Sequence, residues 1–168
     1  MERDMLLEQY AHMFASEKHS GHMDDSGRPY FNAHIEHSVR ILMASFVDEL
    51  HIDSAMIAAL YMHDVIEHGF ATDSEIFNYL TGVGIDSDTA CDVVNLVVAV
   101  THVGEKEDGI DNRYFPHLDG NPRAIRLKFC DRLSNITRGD GWTRERYNEY
   151  VGSSKFWKSS PSDATSSS

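Results

Sequence analysis

The sequence predicts an all-α fold, a bundle of helices, and three observations carry that expectation. Apolar residues recur at three- and four-residue steps along most of the chain, and capping residues stand before several of those runs. No stretch alternates strand with helix as a parallel sheet requires. At 168 residues the chain suits one domain, long enough to bury a core without disulfides or a structural metal.

Residues 2–18 place Met5, Leu6, Tyr10, Met13 and Phe14 at helical spacing, the pattern of an amphipathic helix. Residues 20–30, SGHMDDSGRPY, have the Gly, Asp and Pro content of a loop. Asn32 is placed to cap a second helix whose apolar line runs through Ile35, Val39, Leu42 and Phe46 to Leu50, with His37 and Ile41 on the neighbouring line. Asp53 caps a third helix in which Met56, Leu60 and His63 share the inward face, and Gly69 is placed to close it. A short helix from Asp73 to Leu80 follows. The run from Asp86 to about Thr101 is rich in valine, which favours strands, but its length and its lack of internal turn residues predict a helix.

Residues 101–114, THVGEKEDGIDNRY, read as a polar loop of a kind that often covers a site. Asn121-Pro122 supplies a cap followed by proline at the first helical position, opening a helix through Ile125, Phe129, Leu133 and Ile136 with Asp131 in its apolar register. A last helix is expected from about Trp142 to Trp157. The domain is expected to span 1–150. Residues 151–168, Ser-rich and without apolar periodicity after Trp157, read as a disordered extension.

Charge narrows the partners. Fifteen Lys and Arg against 27 Asp and Glu give a net charge of −12, which works against nucleic acid or an anionic membrane as a general partner. The N-terminus lacks the apolar core of a signal peptide, and the longest apolar run, VVNLVVAV at 93–100, is far below the ~20 residues that span a bilayer. A cytoplasmic location is expected. Cys91 and Cys130 lie outside any metal or redox spacing, in apolar neighbourhoods that suit buried thiols.

Three inward helical faces carry groups able to bind a metal: His37, the pair His63 and Asp64, and Asp131. A buried carboxylate is costly unless paired, so an aspartate within LKFCDRL asks for a cation. Two imidazoles and two carboxylates suit Mn²⁺, Fe²⁺, Co²⁺ or Zn²⁺ and leave positions open on an octahedral ion. Such a site can hydrolyse phosphoesters by lowering the pKa of a bound water and polarising the phosphoryl oxygen. Each piece also has an ordinary reading: a satisfied core histidine, a helix-end pair, a surface ion-pair cluster around Asp131 with Lys128 and Arg132. One shared centre accounts for all three at once.

The segments IEHSVRIL, YMHDVIEH and LKFCDRLSN resemble, in that order, the H…HD…D pattern of HD-domain phosphohydrolases. The likeness is closer to the RelA/SpoT-type alarmone hydrolases, including the small stand-alone forms. KHSG…GRPYFNAHIEH is similar to their KH…G…PY…H opening, HDVIE to HDxxED, VTHV to their VTK segment, and IRLKFCDRLSNI to IKLADRLHN. It covers roughly residues 8–138.

The resemblance implies an HD-domain helical bundle and a metal, with Mn²⁺ expected, held by His37, His63, Asp64 and Asp131. Glu67 matches the glutamate that orients the attacking water or passes its proton, and Asn135 an asparagine near the nucleotide. Lys18, Arg28, Arg40, Lys128 and Arg132 are the nearest cations in sequence for phosphates, and Tyr114 is a candidate to stack on or hydrogen-bond a nucleotide. Solvated-face and core readings stand beside these.

Three departures matter. The family's metal histidine comes about three residues after PY, whereas Tyr30 is followed by His34 and then His37; HSVRI fits the family's H-x-x-R-V, so His37 is the first choice and His34 the second. His68 stands where the alarmone hydrolases have aspartate, and a histidine can still transfer protons near neutral pH. The family's basic pair is replaced by HMDD, with Met23 and Asp24 near those positions.

The expected function is a metal-dependent phosphohydrolase that removes the 3′-pyrophosphate of a ppGpp-type alarmone, with Glu67, His68 and Asp64 as its catalytic groups. An HD-type nucleotidase or triphosphohydrolase on ordinary nucleotides is the second expectation, and an inactive nucleotide-binding module the third. A small-molecule nucleotide is the expected partner, and a homo-oligomer stays open.

Overall fold

The computed structural model describes residues 4–44, 51–101, 118, 120–139, 143–146 and 148. Their regular structure comprises α1 (Met5–Lys18), a π-helical segment (Phe31–Ile35), α2 (Glu36–Ala44), α3 (Ser54–Met62), α4 (Asp73–Gly82), α5 (Ser87–Val100) and α6 (Pro122–Thr137). Among the described residues there is no strand, only an isolated bridge between Met23 and Pro29. The all-α expectation holds. Tyr114, most of the 101–114 loop, Phe46 to Leu50 and the 151–168 extension lie outside the described residues, as does most of the last expected helix.

α3 is the hub. Ala55, Met56, Ile57, Ala58, Ala59, Leu60 and Met62 are all buried, and α1, α2, α5 and α6 pack against it. Three alanines in that run let neighbours approach closely, which explains a correction in α1. Its buried face is Leu7, Ala11, Phe14 and Ala15, while Met5, Leu6 and Met13, expected on the inward line, are exposed. Small residues at 11 and 15 fit the alanine-rich surface of α3 better than methionine would. Glu8 goes in with that face, its carboxylate accepting a hydrogen bond from Ser54 Oγ at 2.6 Å.

The caps expected at Asp53 and Asn121 form, and Asp86 caps α5 as well, each side-chain oxygen accepting a backbone N–H of the first turn. Residues 87–100 are helical, so a long uninterrupted run outweighs valine's strand preference. Thr72 and Glu75 make a reciprocal capping box on α4. Arg123 at the start of α6 reaches Asp53 at 2.9 Å and Asp92 at 2.8 Å, tying α6 to α3 and α5.

Four further expectations change. Asn32 does not cap: the chain is already helical at Tyr30, and Asn32 Nδ2 donates instead to Glu36 Oε1 at 2.6 Å. α3 stops at Met62, with His63 as its C-cap; residues 63–69 turn, and Gly69 at φ +73° closes them. α6 buries Ala124, Leu127, Lys128, Cys130, Asp131 and Ser134, whereas Phe129 of the expected line is 37% exposed. Cys130 is buried as expected, but Cys91 is exposed. No helix among the described residues is long and apolar enough to cross a membrane.

Candidate metal centre

Three segments distant in sequence converge on one point. The C-cap of α3 and the turn after it carry His63 and Asp64, α6 contributes Asp131 from its buried face, and the π-helical segment delivers His34. One ligand atom from each of these four side chains lies within 4.8 Å of the others, and all four residues are buried. Asp131 Oδ1 stands 2.9 Å from His34 Nε2 and 3.1 Å from His63 Nε2. Asp64 closes the group, its oxygens 3.5 Å from His34 Nε2 and 3.3 Å from His63 Nε2.

The histidine differs from the first choice made on sequence. His34 is fully buried in the cluster, while His37 turns its Nδ1 to Ser134 Oγ at 3.0 Å. The reason is the π-helical segment Phe31–Ile35, whose i→i+5 spacing takes up the extra residue between Tyr30 and His34. His63, Asp64 and Asp131 come together with it.

The donor set fits a divalent cation. Two buried carboxylates side by side repel one another, and two imidazoles with their Nε2 atoms facing them complete a mixed nitrogen and oxygen cage. His63 Nδ1 donates to Leu60 O at 2.6 Å, which leaves its Nε2 lone pair for the cluster. Burial opposes a charge on His63, but Asp64 and Asp131 outweigh it and push its pKa up to about 9. Burial likewise opposes ionised Asp131, yet Lys128 and His63 hold its carboxyl well below the usual range. Lys128 Nζ is 3.3 Å from Asp131 Oδ2. Tyr30 donates its hydroxyl to Asp64 Oδ2 at 2.5 Å, and burial and then Asp64 hold the phenol protonated.

Glu67 and His68 stand at the rim. With Asp64 they form a second group whose ligand atoms lie within 4.8 Å. Although Glu67 is exposed as a residue, desolvation and then the charge of Asp64 push its carboxyl up to about 7. Beside them is a wall of rings: His22 stacks on Tyr30 at 4.2 Å, His68 meets His22 edge-on at 4.7 Å, and Phe70 stacks on His68 at 5.6 Å. His19, behind this wall, is buried, and burial lowers its pKa to about 4.

Of the expected substrate residues, Lys128 is brought to the cluster. Arg28 pairs with Asp24 at 3.0 Å, Lys18 lies over the Phe14 ring, Arg40 is exposed on α2, and Asn135 accepts from Arg138 at 2.5 Å. Arg132 is buried in α6. Asp24 also draws in Arg138 at 3.2 Å, whose guanidinium stands over Tyr30. Tyr30, Ser134 and Arg138 were not singled out from the sequence. For Tyr30 the signal was present in the GRPY segment; for Ser134 it was the serine where the resembling motif has histidine.

A pH dependence follows for the protein in a chelating buffer. His63 has a folded pKa of about 9, above its ordinary 6.5, so its contribution is fully present below pH 6.5 and is lost as pH rises through about 9. Below about pH 7 the raised Glu67 and the lowered His19 act in opposite directions. The melting temperature is therefore expected to fall between pH 7 and 9; a flat or rising profile contradicts the charge assignment.

No protein-family model matches the chain. Among curated proteins it is similar to the GTP pyrophosphokinase rsh of Brucella ovis, 36% identical over 131 residues, which are 75% of this chain and 16% of that protein. It is also similar to a probable guanosine-3′,5′-bis(diphosphate) 3′-pyrophosphohydrolase of Synechocystis, 30% identical over 139 residues, 81% of this chain and 17% of that protein. The chain thus spans less than a fifth of the length of these relatives. Among solved structures it resembles a metazoan ortholog of SpoT that hydrolyses ppGpp, with a TM-score of 0.64 and 25% identity, covering 89% of this chain and 82% of that one.

Proposed function

The chain forms an HD domain of the RelA/SpoT type, alike in sequence and in fold, and from that premise we propose that it is a metal-dependent phosphohydrolase that removes the 3′-pyrophosphate of a ppGpp-type nucleotide. The observation that carries this reading is the buried four-residue cluster of His34, His63, Asp64 and Asp131 with Glu67 and His68 on its rim. Those four residues would hold a divalent cation, Mn²⁺ by preference. When bound, such an ion supplies a Lewis acid for the phosphoryl oxygens and an acidified water.

The chain's own groups do the rest. Glu67, with its pKa raised to about 7, takes the proton of the attacking water and returns one to the departing oxygen. His68, beside it, shares that traffic. Tyr30 fixes Asp64, and Lys128 balances the charge of Asp131. The wall of His22, Tyr30, His68 and Phe70 gives the nucleotide flat surfaces to lie against.

Support for a 3′-pyrophosphate comes from what the Synechocystis relative and the metazoan structure are named for. A second reading, an ordinary nucleoside mono- or triphosphate, is favoured by Met23 and Asp24 standing in the loop where the resembling enzymes carry a basic pair. Arg28 and Arg138, gathered by Asp24, offset that loss of cations. Parallel assays with Mn²⁺ on ppGpp, nucleoside monophosphates and nucleoside triphosphates separate the two. Turnover of ppGpp in preference to the others is expected; release only from ordinary nucleotides overturns the substrate assignment, and a folded Asp64→Ala protein with full activity overturns the centre.

A further inference from the structure

His34 can offer Nε2 to a cation only if its remaining proton sits on Nδ1, and in a fully buried position that proton needs an acceptor. Ser134 Oγ is 3.0 Å from His34 Nδ1 and is itself completely buried. A serine that accepts from His34 still has its own hydroxyl proton to place. His37 Nδ1 lies 3.0 Å from the same oxygen, and burial and then the charge of Arg40 lower the pKa of that imidazole, favouring the neutral form with a lone pair to give. The hydroxyl's other neighbour, the carbonyl of His34, is at 3.4 Å and is the poorer acceptor.

We propose that Ser134 and His37 are positioning residues for the metal centre, acting as one chain in which His34 Nδ1–H donates to Ser134 Oγ and Ser134 Oγ–H donates to His37 Nδ1. This rests on the metal reading above and adds a role for two residues outside the ligand set. It also accounts for two features of the sequence together. The motif LKFCDRLSN has serine where the resembling IKLADRLHN has histidine, and an imidazole from α2, His37, stands against that serine. Serine at 134 leaves room for a ring from α2. The result is an outer shell assembled from α2 and α6, locking the tautomer and ring plane of a ligand that belongs to neither helix.

The test is calorimetric titration of the full chain with Mn²⁺, alongside helical circular dichroism and melting curves. Ser134→Ala is expected to weaken Mn²⁺ binding by about 10- to 100-fold with the helical signal retained. Ser134→Thr, which keeps the hydroxyl, should restore most of it. His37→Phe should weaken binding less than Ser134→Ala, because the His34 carbonyl remains as a poorer acceptor, and the double variant should bind no more weakly than Ser134→Ala alone. Wild-type affinity in a folded Ser134→Ala protein, or full additivity of the two substitutions, overturns the proposal. A wild-type chain that binds no divalent cation overturns the metal reading itself, a distinguishable result.

Discussion

Asp131→Asn is expected to lower phosphohydrolase turnover by about 10³-fold or more, because a ligated cation stabilises the transition state by several kcal/mol and each ~1.4 kcal/mol is a factor of ten. Asparagine keeps the size of the side chain and one carbonyl oxygen, so the effect isolates the charge. That charge has three neighbours: His34, His63 and Lys128, at 2.9, 3.1 and 3.3 Å. Removing it leaves the buried lysine and the two imidazoles facing one carboxylate in place of two. Breaking a buried pair costs about 3–5 kcal/mol. In chelator the melting temperature should fall by roughly 6–20 °C, taking about 2–4 °C per kcal/mol for a chain of this size. Calorimetry with Mn²⁺ and a steady-state assay, both run well below that melting temperature, check the two losses together. A folded variant that binds Mn²⁺ as tightly as wild type contradicts the ligand set.

Glu67→Gln is expected to separate chemistry from binding. Glu67 is outside the four-residue cluster but shares the rim group with Asp64 and His68. Losing a positioned general base costs about 10²–10⁴-fold in rate, while Mn²⁺ affinity should stay close to wild type. The pH profile offers a second readout. A carboxyl that must be ionised to accept a proton gives a rate that rises with pH through its pKa and then levels. In the cation-free chain that pKa is about 7, and a cation in the adjacent cluster favours the carboxylate, so the limb should lie at or below about 7. Glutamine removes the limb. A Glu67→Gln enzyme with an unchanged rate and profile shifts the proton role to His68.

How much of this could be read in the sequence depends on which signals are local. Caps at Asp53 and Asn121 were legible because one side chain and the next backbone N–H groups decide them. The adjacency of His63 and Asp64 was legible as well, and Asp131 stood out as a carboxylate in an apolar run. The face of α1 was not, since two lines of hydrophobic residues interleave there and only the alanine surface of α3 decides between them.

The structure brings His34, the second choice, and not His37 to the cluster for a similar reason. Both follow GRPY at plausible helical distances, and the spacing alone does not disclose that the first turn is π-helical. Once it is, His34 swings to the cluster and His37 to Ser134. Asp131 sits on the face of Leu127, Lys128 and Ser134 rather than on the line of Ile125 and Phe129, which is why its partner lysine is one turn earlier.

The most direct measurement is product release from ppGpp by the purified chain with Mn²⁺, before and after chelation, with GDP as a parallel substrate. Equal amounts of pyrophosphate and GDP are expected from ppGpp, with no phosphate from GDP, loss of both products when the metal is removed and their return when it is restored. Turnover that survives chelation, or no release from ppGpp with any divalent ion, would contradict the proposed function.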